Sequence, residues 1–347
     1  MIRRDDMLSK LVIATLGEDA GVAMLDTLVI DPALSETDKT GETGATVARA
    51  TVAMALNIVL MHGLLARVPT GAAYVTNRVL AGRRILFDHG ALRTVRFAEE
   101  PTGALPPGEQ AFTRILEPLG YRVAGFYPLA RLRMTGRAYA HSDLPETIPQ
   151  FFLSELHVEQ FSPAFQAVAK RVFGTSRDPL TAEARALLAA LVEMGVAPLS
   201  LAIAGLPSLV AAFDRQHDIP SVEDYRLLLD ESAEAAWIAT EGNAFNHVTD
   251  RVDDVETLAA SQRSLGRPMK DKVEVSTSGR VRQTAYKADP VERRFRTASG
   301  EMTMTVPGSF YEFISRDRLP APDHARLDLT FDSGNAQGIF KMTAAAA

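Results

Sequence analysis

The chain has 347 residues, 46% hydrophobic and 23% charged, which are the proportions of a folded globular protein and enough for one large domain or two ordinary ones. A net charge of −6 argues against nucleic-acid binding through overall charge. The absence of cysteine excludes disulfides, thiolate metal sites and cysteine nucleophiles, and it fits the reducing conditions of a cytoplasmic location.

Residues 1–70 are expected to form an N-terminal helical part. The opening segment has basic residues but also two aspartates and no sustained apolar run, so it does not have the pattern of a signal peptide. The most apolar stretch, TVAMALNIVLMHGLLARV (51–68), is interrupted by polar residues and is shorter than the about 20 residues that a membrane helix needs. It predicts a buried core helix, and no membrane partner is expected.

Residues 71–157 are interpreted as a first β-rich module. Short β-type runs around 85–97 and 131–140 predict strands, and a helix is expected near 108–119. The segment EEPTGALPPGE (99–109) is rich in proline and glycine and predicts the connection between them.

Residues 158–240 predict an inserted block of successive helices. Ser162 stands before a proline, as an N-cap residue does at the start of a helix. The Ala- and Leu-rich stretch 181–195 ends at a glycine, and Ser221 and Asp224 have the spacing of a capping box. No strand is expected within this block.

Residues 241–347 are interpreted as a second β-rich module. Short alternating runs, from FNHVTDRV to RLDLTFDSGNAQGIFKM (326–342), are broken by Gly, Pro, Asn and Asp, which is typical of antiparallel strands. Strands and helices do not alternate regularly along the chain, as they would in a doubly wound sheet. The sequence therefore predicts a single catalytic α+β domain over residues 1–347.

A histidine and an arginine occupy an otherwise apolar strand, ILFDHGALRTVRF (85–97). His89 and Arg93 share one face of a strand, about 13 Å apart along the backbone, so the arginine could reach a ligand held by the histidine. A histidine in a strand is commonly a hydrogen-bonded structural residue, and His89 alone does not define a metal site.

The segment AFNHVTDRV (244–252) repeats the pattern around His89. His247 aligns with His89, 158 residues earlier (247 − 89), and Arg251 aligns with Arg93. Two similar strand openings so far apart predict an internal duplication of a β-rich module. If the two modules pack with pseudo-twofold symmetry, their histidines can bind one metal ion.

Two imidazoles without thiolates leave a carboxylate as the third ligand. Glu312, in VPGSFYEFISR (306–316), stands among aromatic and β-branched residues, where an unpaired buried carboxylate would cost several kcal/mol. Contact with a metal removes that cost, whereas a solvated edge of the sheet is the alternative. A set of two histidines and one carboxylate is typical of non-heme Fe(II), although three ligands do not by themselves fix the metal.

Polar residues of the second module are candidates for substrate binding. Ser276, Gln283 and Thr284 lie in strand-like runs and could donate or accept hydrogen bonds, or they could be surface polar residues. The basic run 280–296 is interpreted as a solvated hairpin face, unless an acidic substrate uses part of it.

Several stretches between about residue 50 and residue 316 resemble known proteins. FDHGALRTV and FNHVTDRV are similar to the first-strand signature of the vicinal oxygen chelate superfamily, whose paired β-rich modules hold a metal through His and Glu. The chain as a whole resembles the 2-oxoadipate dioxygenase/decarboxylase family. The further stretches that carry this resemblance are LLARVPTGAAYVTNRVLAG, FFLSELHVEQFS, VRQTAYKADPVERRF and VPGSFYEFISR.

The resemblance implies paired β-rich modules of vicinal oxygen chelate type around a metal site, with an inserted helical block. It implies Fe(II) held by His89, His247 and Glu312 as the catalytic centre, and Arg93 binding a substrate carboxylate. The family's reaction converts 2-oxoadipate and O2 to 2-hydroxyglutarate and CO2 in lysine breakdown. An O2-independent metal-dependent isomerase or lyase of the same superfamily is the alternative, and a metal-free binding module is a third reading.

Overall fold

The helices and strands of the protein are arranged around one large mixed β-sheet. The computed structural model describes residues 6–34, 44–323, 325–332 and 334. In chain order the elements of these ranges are α1 (Met7–Leu16), α2 (Glu18–Thr27), β1 (Thr46–Ala48), α3 (Arg49–Leu65), α4 (Pro69–Leu80), β2 (Phe87–Arg96), α5 (Gln110–Leu116), β3 (Tyr121–Leu129), β4 (Met134–His141), β5 (Gln150–His157), α6 (Pro163–Phe173), α7 (Ala182–Met194), β6 (Val196–Pro198), α8 (Leu199–Ala211), α9 (Val222–Glu231), α10 (Ala233–Glu241), β7 (His247–Arg251), α11 (Val255–Ser264), β8 (Glu274–Val275), β9 (Val281–Ala285), β10 (Pro290–Thr297), β11 (Gly300–Pro307) and β12 (Phe310–Arg316).

Eight strands form a curled half-barrel in the order β3-β4-β5-β2-β7-β12-β9-β8. The two central strands, β2 and β7, are antiparallel neighbours. Outward from each of them the pairing pattern is the same: first a parallel partner, β5 or β12, and then two antiparallel strands. The two halves of the sheet are therefore related by a pseudo-twofold axis between β2 and β7.

Each half of the sheet has the same chain order of a strand, a helix and three strands. The first is β2-α5-β3-β4-β5, and the second is β7-α11-β8-β9-β12 with the hairpin β10-β11 inserted before its last strand. The α+β fold of paired β-rich modules predicted from the two histidine motifs is thus confirmed.

The expectation of antiparallel strands in the second module is confirmed for β8 with β9, β9 with β12 and β10 with β11, but not for β7 with β12. Strands β7 and β12, the first and last of the unit, run parallel, with Phe310 opposite His247. Parallel neighbours need a long connection, and here α11 and the strands after it provide that connection. Helix α11 was not expected either, because the sequence pattern of this region predicted strands alone.

The outer face of the sheet is covered by the N-terminal helices. Helix α3 is almost entirely buried there, as the apolar run predicted, and it packs with α1, α4 and α8. Among the described residues, no single helix combines the length and the hydropathy that crossing a bilayer requires. By length and composition alone, α3 and α4 meet that requirement only when joined, and they are bent by 115° where they meet.

The inner face of the sheet, which carries the two histidines, packs against the inserted helices. Helices α6, α9 and α10 and the hairpin β10-β11 share one apolar core with Phe152 and Leu156 of β5. The side chains of Ser162, Thr181 and Ser221 accept hydrogen bonds from the backbone of the helices that follow them, so the predicted helix starts are confirmed. One short strand, β6, interrupts the block, because it pairs with β1 far away in sequence.

The run 326–342 does not form a strand in its described part. Residues 326–332 have no regular secondary structure apart from a single isolated bridge, between Leu327 and Arg318. Of the remainder, only residue 334 is described, and the other residues lie outside the described ranges.

Candidate metal and substrate site

The predicted metal ligands His89, His247 and Glu312 come together on the inner face of the sheet. One ligand atom from each lies within 4.8 Å of the other two. The Nε2 atom of His89 is 3.2 Å from Oε2 of Glu312, and Nε2 of His247 is 3.3 Å from the same oxygen. All three side chains are buried. In the described part of the chain this is the one group of three His, Cys, Asp or Glu side chains that could hold a metal ion.

Strand register explains why these residues meet. Thr249 is opposite His89 on one side and opposite Glu312 on the other, so it stands between the two ligands. Its hydroxyl donates to Oε2 of Glu312 over 2.6 Å and lies 3.1 Å from Nε2 of His89. The central strands β2, β7 and β12 thus supply one ligand each: His89 and Glu312 lie at the level of Thr249, and His247 lies two residues before Thr249 on β7.

A β-bulge in β2 turns His89 toward the inner face. The register shifts between Phe87 and His89. Phe87 packs into the hydrophobic core on the outer face of the sheet, whereas His89, two residues later, faces the cavity. Without the extra residue, strand alternation would place both side chains on one face. The sequence pattern alone gave no sign of this bulge.

The pseudo-symmetry of the site is broken at Phe152. In the second module, Glu312 is paired with Thr249, two residues beyond His247. In the first module, the corresponding position is Ala91, two residues beyond His89, and its parallel partner is Phe152. A phenyl ring therefore occupies the position at which exact symmetry would supply a fourth ligand. A metal held by the other three residues would keep open coordination positions on this side.

The electrostatics of the three residues favour an ionised carboxylate beside imidazole nitrogens. Burial by itself raises the pKa of the Glu312 carboxyl, but His247 and His89 outweigh it and hold the pKa well below its usual range. Burial lowers the pKa of His247. For His89, burial also lowers the pKa, but hydrogen bonds to Asp88 and Glu312 have the larger combined effect and raise the pKa.

Two buried polar atoms of the three candidate ligands have no hydrogen-bond partner among the described residues. They are Oε1 of Glu312 and Nδ1 of His247. An unpaired buried carboxylate oxygen costs about 1–3 kcal/mol or more, and a cation bound to the carboxylate would remove that cost. Two imidazoles and a carboxylate with open positions suit a divalent first-row metal. The residues present therefore fit the metal that the sequence predicted.

Asp88 fixes the orientation of His89 from behind. Its Oδ1 atom lies 2.8 Å from Nδ1 of His89, so Nδ1 faces Asp88 while Nε2 faces the other two ligands. The guanidinium of Arg316 binds the same carboxylate through Nε and Nη2, each at 2.9 Å. Such carboxylate–histidine contacts set the ring orientation of metal ligands. Neither residue was predicted, although Asp88 directly precedes His89 in the motif.

The three candidate ligands line a cavity of about 420 Å³. Its apolar wall is formed by Ala91, Phe152 and Phe331, and its polar wall by Ser154, Asn246, Gln283 and Asp332. A ligand in the cavity would contact the three converging residues on one side and aromatic rings on the other.

Of the predicted substrate-binding residues, Gln283 lines the cavity and Arg93 lies next to it along β2. Arg93 is 1% exposed, and its guanidinium carbon is 5.0 Å from the ring centroid of Trp237. Burial lowers the pKa of Arg93 to about 10. Alternation along β2 places Arg93 on the same face as His89, as the sequence predicted.

Ser276 and Thr284 are not among the described residues that line the cavity. Thr284 follows Gln283 in β9, so its side chain lies on the opposite face, where its hydroxyl donates to the carbonyl of Lys272. Ser276 is in the turn between β8 and β9, where its Oγ atom accepts a hydrogen bond from the backbone of Val281. Both hydroxyls have local structural roles, which differs from the expectation for these two residues.

The basic run 280–296 is occupied by contacts within the protein. Its arginines bind carboxylates or carbonyls of neighbouring elements, as seen for Arg280 with Asp328, Arg282 with Asp317, Arg293 with Glu241, Arg294 with Glu301 and Arg296 with Ile219. The interpretation as a hairpin face agrees with this arrangement better than an anion site does.

Asn246 and Phe331 are cavity residues that the sequence reasoning missed. Asn246 directly precedes His247, and its backbone is fixed between Ala91 and Phe310 by hydrogen bonds of 2.9 and 3.0 Å. The repeated motif contains this residue, so a signal was present. Phe331 comes from the segment after β12, where the alternating run predicted a strand and not a cavity wall.

Comparison with known proteins agrees with this fold. A crystal structure from Ralstonia eutropha JMP134, of a protein described as belonging to the glyoxalase superfamily, is 52% identical and covers 94% of this chain and 99% of its own, with a TM-score of 0.87. The hydroxyglutarate synthase of Oryza sativa, solved in complex with 2-oxoadipate, superposes with a TM-score of 0.66 over 89% of this chain and 95% of its own. At 20% identity the second likeness shows a shared fold.

The sequence comparisons identify the family. A curated rice protein, 2-oxoadipate dioxygenase/decarboxylase, is 25% identical over 289 residues, which are 76% of this chain and 70% of the rice protein. An Arabidopsis thaliana protein of the same description is 26% identical over 216 residues, 56% of this chain and 51% of its own. The model of the family described as 2-oxoadipate dioxygenase/decarboxylase matches residues 54–328, well over half of the chain. This chain therefore belongs to the 2-oxoadipate dioxygenase/decarboxylase family.

Proposed function

We propose that this protein is an Fe(II)-dependent dioxygenase and decarboxylase that converts 2-oxoadipate and O2 to 2-hydroxyglutarate and CO2 in lysine breakdown. The observation that carries the proposal is the convergence of the buried side chains of His89, His247 and Glu312 at one cavity. Family membership supports the choice of reaction. The reaction balances without a further co-substrate, because the six carbons of 2-oxoadipate appear as five in the product and one in CO2.

The three candidate ligands would hold the metal through Nε2 of each histidine and the carboxylate of Glu312. Fe(II) bound there would act as a Lewis acid toward a chelating 2-oxo acid and as the source of electrons for O2. Thr249 keeps one carboxylate oxygen in place by donating a hydrogen bond to it. Asp88 holds Nδ1 of His89 and so leaves Nε2 directed into the cavity.

The aromatic wall and the polar wall of the cavity have different roles. Phe152 and Phe331 lie 4.9 Å apart by ring centroid and keep water away from the apolar side of the metal site. Gln283 and Asn246 offer amide groups to the oxygen atoms of a bound oxo acid. Arg93 suits the second carboxylate, because a guanidinium binds a carboxylate through two parallel hydrogen bonds.

The decisive experiment follows O2 uptake and CO2 release by metal-depleted protein with 2-oxoadipate, before and after Fe²⁺ is added. We expect equal amounts of O2 consumed and CO2 released, and only in the presence of Fe²⁺. Shorter and longer 2-oxo dicarboxylates in the same assay measure the preferred chain length. If the iron-loaded protein consumes no O2 with any of these acids, the proposal is wrong.

An anaerobic assay separates the proposed oxygenase from a metal-dependent isomerase or lyase. The oxygenase should give no product without O2, whereas an isomerase or lyase would act equally well under nitrogen. Unchanged ligand binding after treatment with a chelator would instead indicate a metal-free binding module.

A further inference from the structure

The segment after β12 contacts both halves of the eight-stranded sheet. We call residues 326–332 the C-terminal strap. It is tied to both halves of the sheet. The groups that hold it are Glu146 at Leu327 (3.1 Å), Arg280 at Asp328 (2.8 Å), Gln150 at Leu329 (3.3 Å), Tyr127 at Phe331 (3.0 Å) and Thr277 at Asp332 (2.9 Å).

The C-terminal strap forms a wall of the candidate metal site. The ring of Phe331 stands edge-on to His89, with 4.8 Å between the ring centroids. On its other side the same ring packs against Phe152 and Tyr127. The strap therefore contributes one of the contacts that surround the imidazole of His89.

One guanidinium connects the strap to the residue that orients His89. Arg316, at the end of β12, has a fully buried side chain. Its Nη1 atom donates to the carbonyls of Asp328 and Thr330 in the strap, at 2.9 and 2.8 Å. Its Nε and Nη2 atoms bind the carboxylate of Asp88, which in turn holds Nδ1 of His89.

This arrangement makes the two contacts of Arg316 depend on each other. A planar guanidinium has donors on two edges in a fixed geometry, so rotation toward one set of acceptors moves it away from the other. Asp88 is buried, and the guanidinium of Arg251 is also nearby, with its Nε atom 3.6 Å from Asp88. If the strap leaves, Arg316 is free to follow it or to rotate, and Asp88 loses the bidentate contact that fixes it.

We propose that Arg316 is a positioning residue that couples the seating of the C-terminal strap to the orientation of His89, and thereby to metal binding. The inference rests on the proposed metal site. Because coupling between two binding events is reciprocal, the bound metal should stabilise the seated strap as much as the seated strap strengthens metal binding. Arg280 also binds Asp328 but does not contact Asp88. Its substitution should therefore loosen the strap without removing the contact between Arg316 and Asp88.

The test measures two quantities in the full-length protein: Fe²⁺ affinity under anaerobic conditions, by competition with a chromophoric chelator, and hydrogen exchange of the strap amides by mass spectrometry. We expect Fe²⁺ to slow exchange of the strap in the wild type. Arg316→Gln should weaken Fe²⁺ binding by about tenfold or more, the usual effect of losing an outer partner of a ligand, and abolish that protection. Arg316→Lys, which keeps the charge but not the fork, should restore only part of either property.

The control Arg280→Gln should speed exchange of the strap and leave most of the Fe²⁺ affinity intact. Equal Fe²⁺ affinity of the wild type and both Arg316 variants would overturn the coupling while leaving the metal site in place. If Arg316→Gln does not fold, the wild type alone decides, because exchange of the strap that is unaffected by Fe²⁺ also overturns the coupling. A wild type that does not bind Fe²⁺ at all would instead overturn the proposed function and this inference with it.

Discussion

Glu312 is the residue on which the candidate site depends most. Its carboxylate contacts both imidazoles through Oε2 and leaves Oε1 buried without a partner among the described residues. Such an arrangement is costly for an empty site and favourable for one that holds a cation. The side chain therefore favours metal binding over stability of the metal-free protein.

Glu312→Gln should abolish turnover and weaken Fe²⁺ binding by more than the roughly 100-fold that loss of an outer partner can cost. The neutral amide keeps the shape of the side chain but removes the charge that attracts the cation. Anaerobic Fe²⁺ titration and O2 uptake measure the two effects. The control is Glu301→Gln on the exposed face of β11, which should bind iron and turn over as the wild type does. Normal Fe²⁺ affinity in Glu312→Gln would contradict the assignment.

His217 is a buried histidine outside the candidate site. Its Nε2 atom lies 3.0 Å from the carbonyl of Ala239, and burial lowers its pKa from 6.5 to about 4. Between pH 6.5 and pH 4 the unfolded chain binds a proton here that the folded protein does not. The contribution of His217 to stability is thus fully present above pH 6.5 and is lost as the pH falls toward 4.

His217→Gln should reduce the loss of stability on going from pH 7 to pH 5. The group contributes a slope of up to about 1.4 kcal/mol per pH unit in this range, and glutamine does not titrate. Urea unfolding of both proteins at the two pH values measures the difference. The variant His157→Gln, which leaves His217 in place, is the control. An unchanged pH dependence in His217→Gln would show that His217 is not the group responsible.

At the scale of secondary structure, the broken symmetry at Phe152 has the clearest chemical consequence. Strand β5 presents a phenyl ring where β12 presents a carboxylate. One half of the duplicated unit thus provides a single ligand and the other half provides two. The site is open on this side because β5 places Phe152 there instead of a ligand.

Phe152→Glu should add a fourth ligand opposite the first three. We expect tighter Fe²⁺ binding together with loss of O2 uptake, because the new carboxylate would occupy a position that the substrate needs. Phe152→Leu is the matched control, since it removes the ring without adding a ligand and should keep Fe²⁺ affinity. If Phe152→Glu keeps the activity of the Leu variant, β5 does not face the open side of the metal.

Much of the architecture was predictable at this scale, for reasons that individual residues show. Capping residues such as Ser162 and Ser221 act within one turn of helix, so the local sequence contains the whole signal. Alternation and the repeated histidine motif located β2 and β7. The parallel pairing of β7 with β12 was not predictable in the same way, because it depends on residues more than 60 positions apart.

The candidate site was predictable where the residue type itself carries the chemistry. Two strand histidines and a buried glutamate are unusual enough to be found without a structure. Asp88 and Arg316 were missed because their contact is made between residues 228 positions apart, and neither is unusual in its own segment. Ser276 and Thr284 were placed in the substrate site because polarity alone does not reveal which face of a strand a hydroxyl occupies.

At the scale of the whole molecule, the candidate metal site joins the two halves of the duplicated fold. His89 belongs to the first half, and His247 and Glu312 belong to the second. A metal bound to all three is a cross-link between β2 and β12 on either side of β7. Metal binding should therefore stabilise the folded protein as a unit.

Fe²⁺ at 100 times its dissociation constant should raise the free energy of unfolding by about 2.7 kcal/mol, provided that the unfolded chain does not bind it. Anaerobic urea unfolding with and without Fe²⁺ measures this gain, and excess chelator should remove it. His89→Ala should show no gain. A similar gain in that variant would mean that the metal binds elsewhere in the molecule.

The separation of the three ligands along the chain also determines when the site can form during synthesis. His89 leaves the ribosome 158 residues before His247 and 223 residues before Glu312 (247 − 89 and 312 − 89). Until β7 emerges, the edge of β2 that it will cover has unpaired backbone groups, and exposed strand edges of this kind promote aggregation. Nascent chains of this protein should therefore need protection at β2 while the 158 residues up to His247 are synthesised, and a metal can contact all three ligands only after Glu312 has emerged.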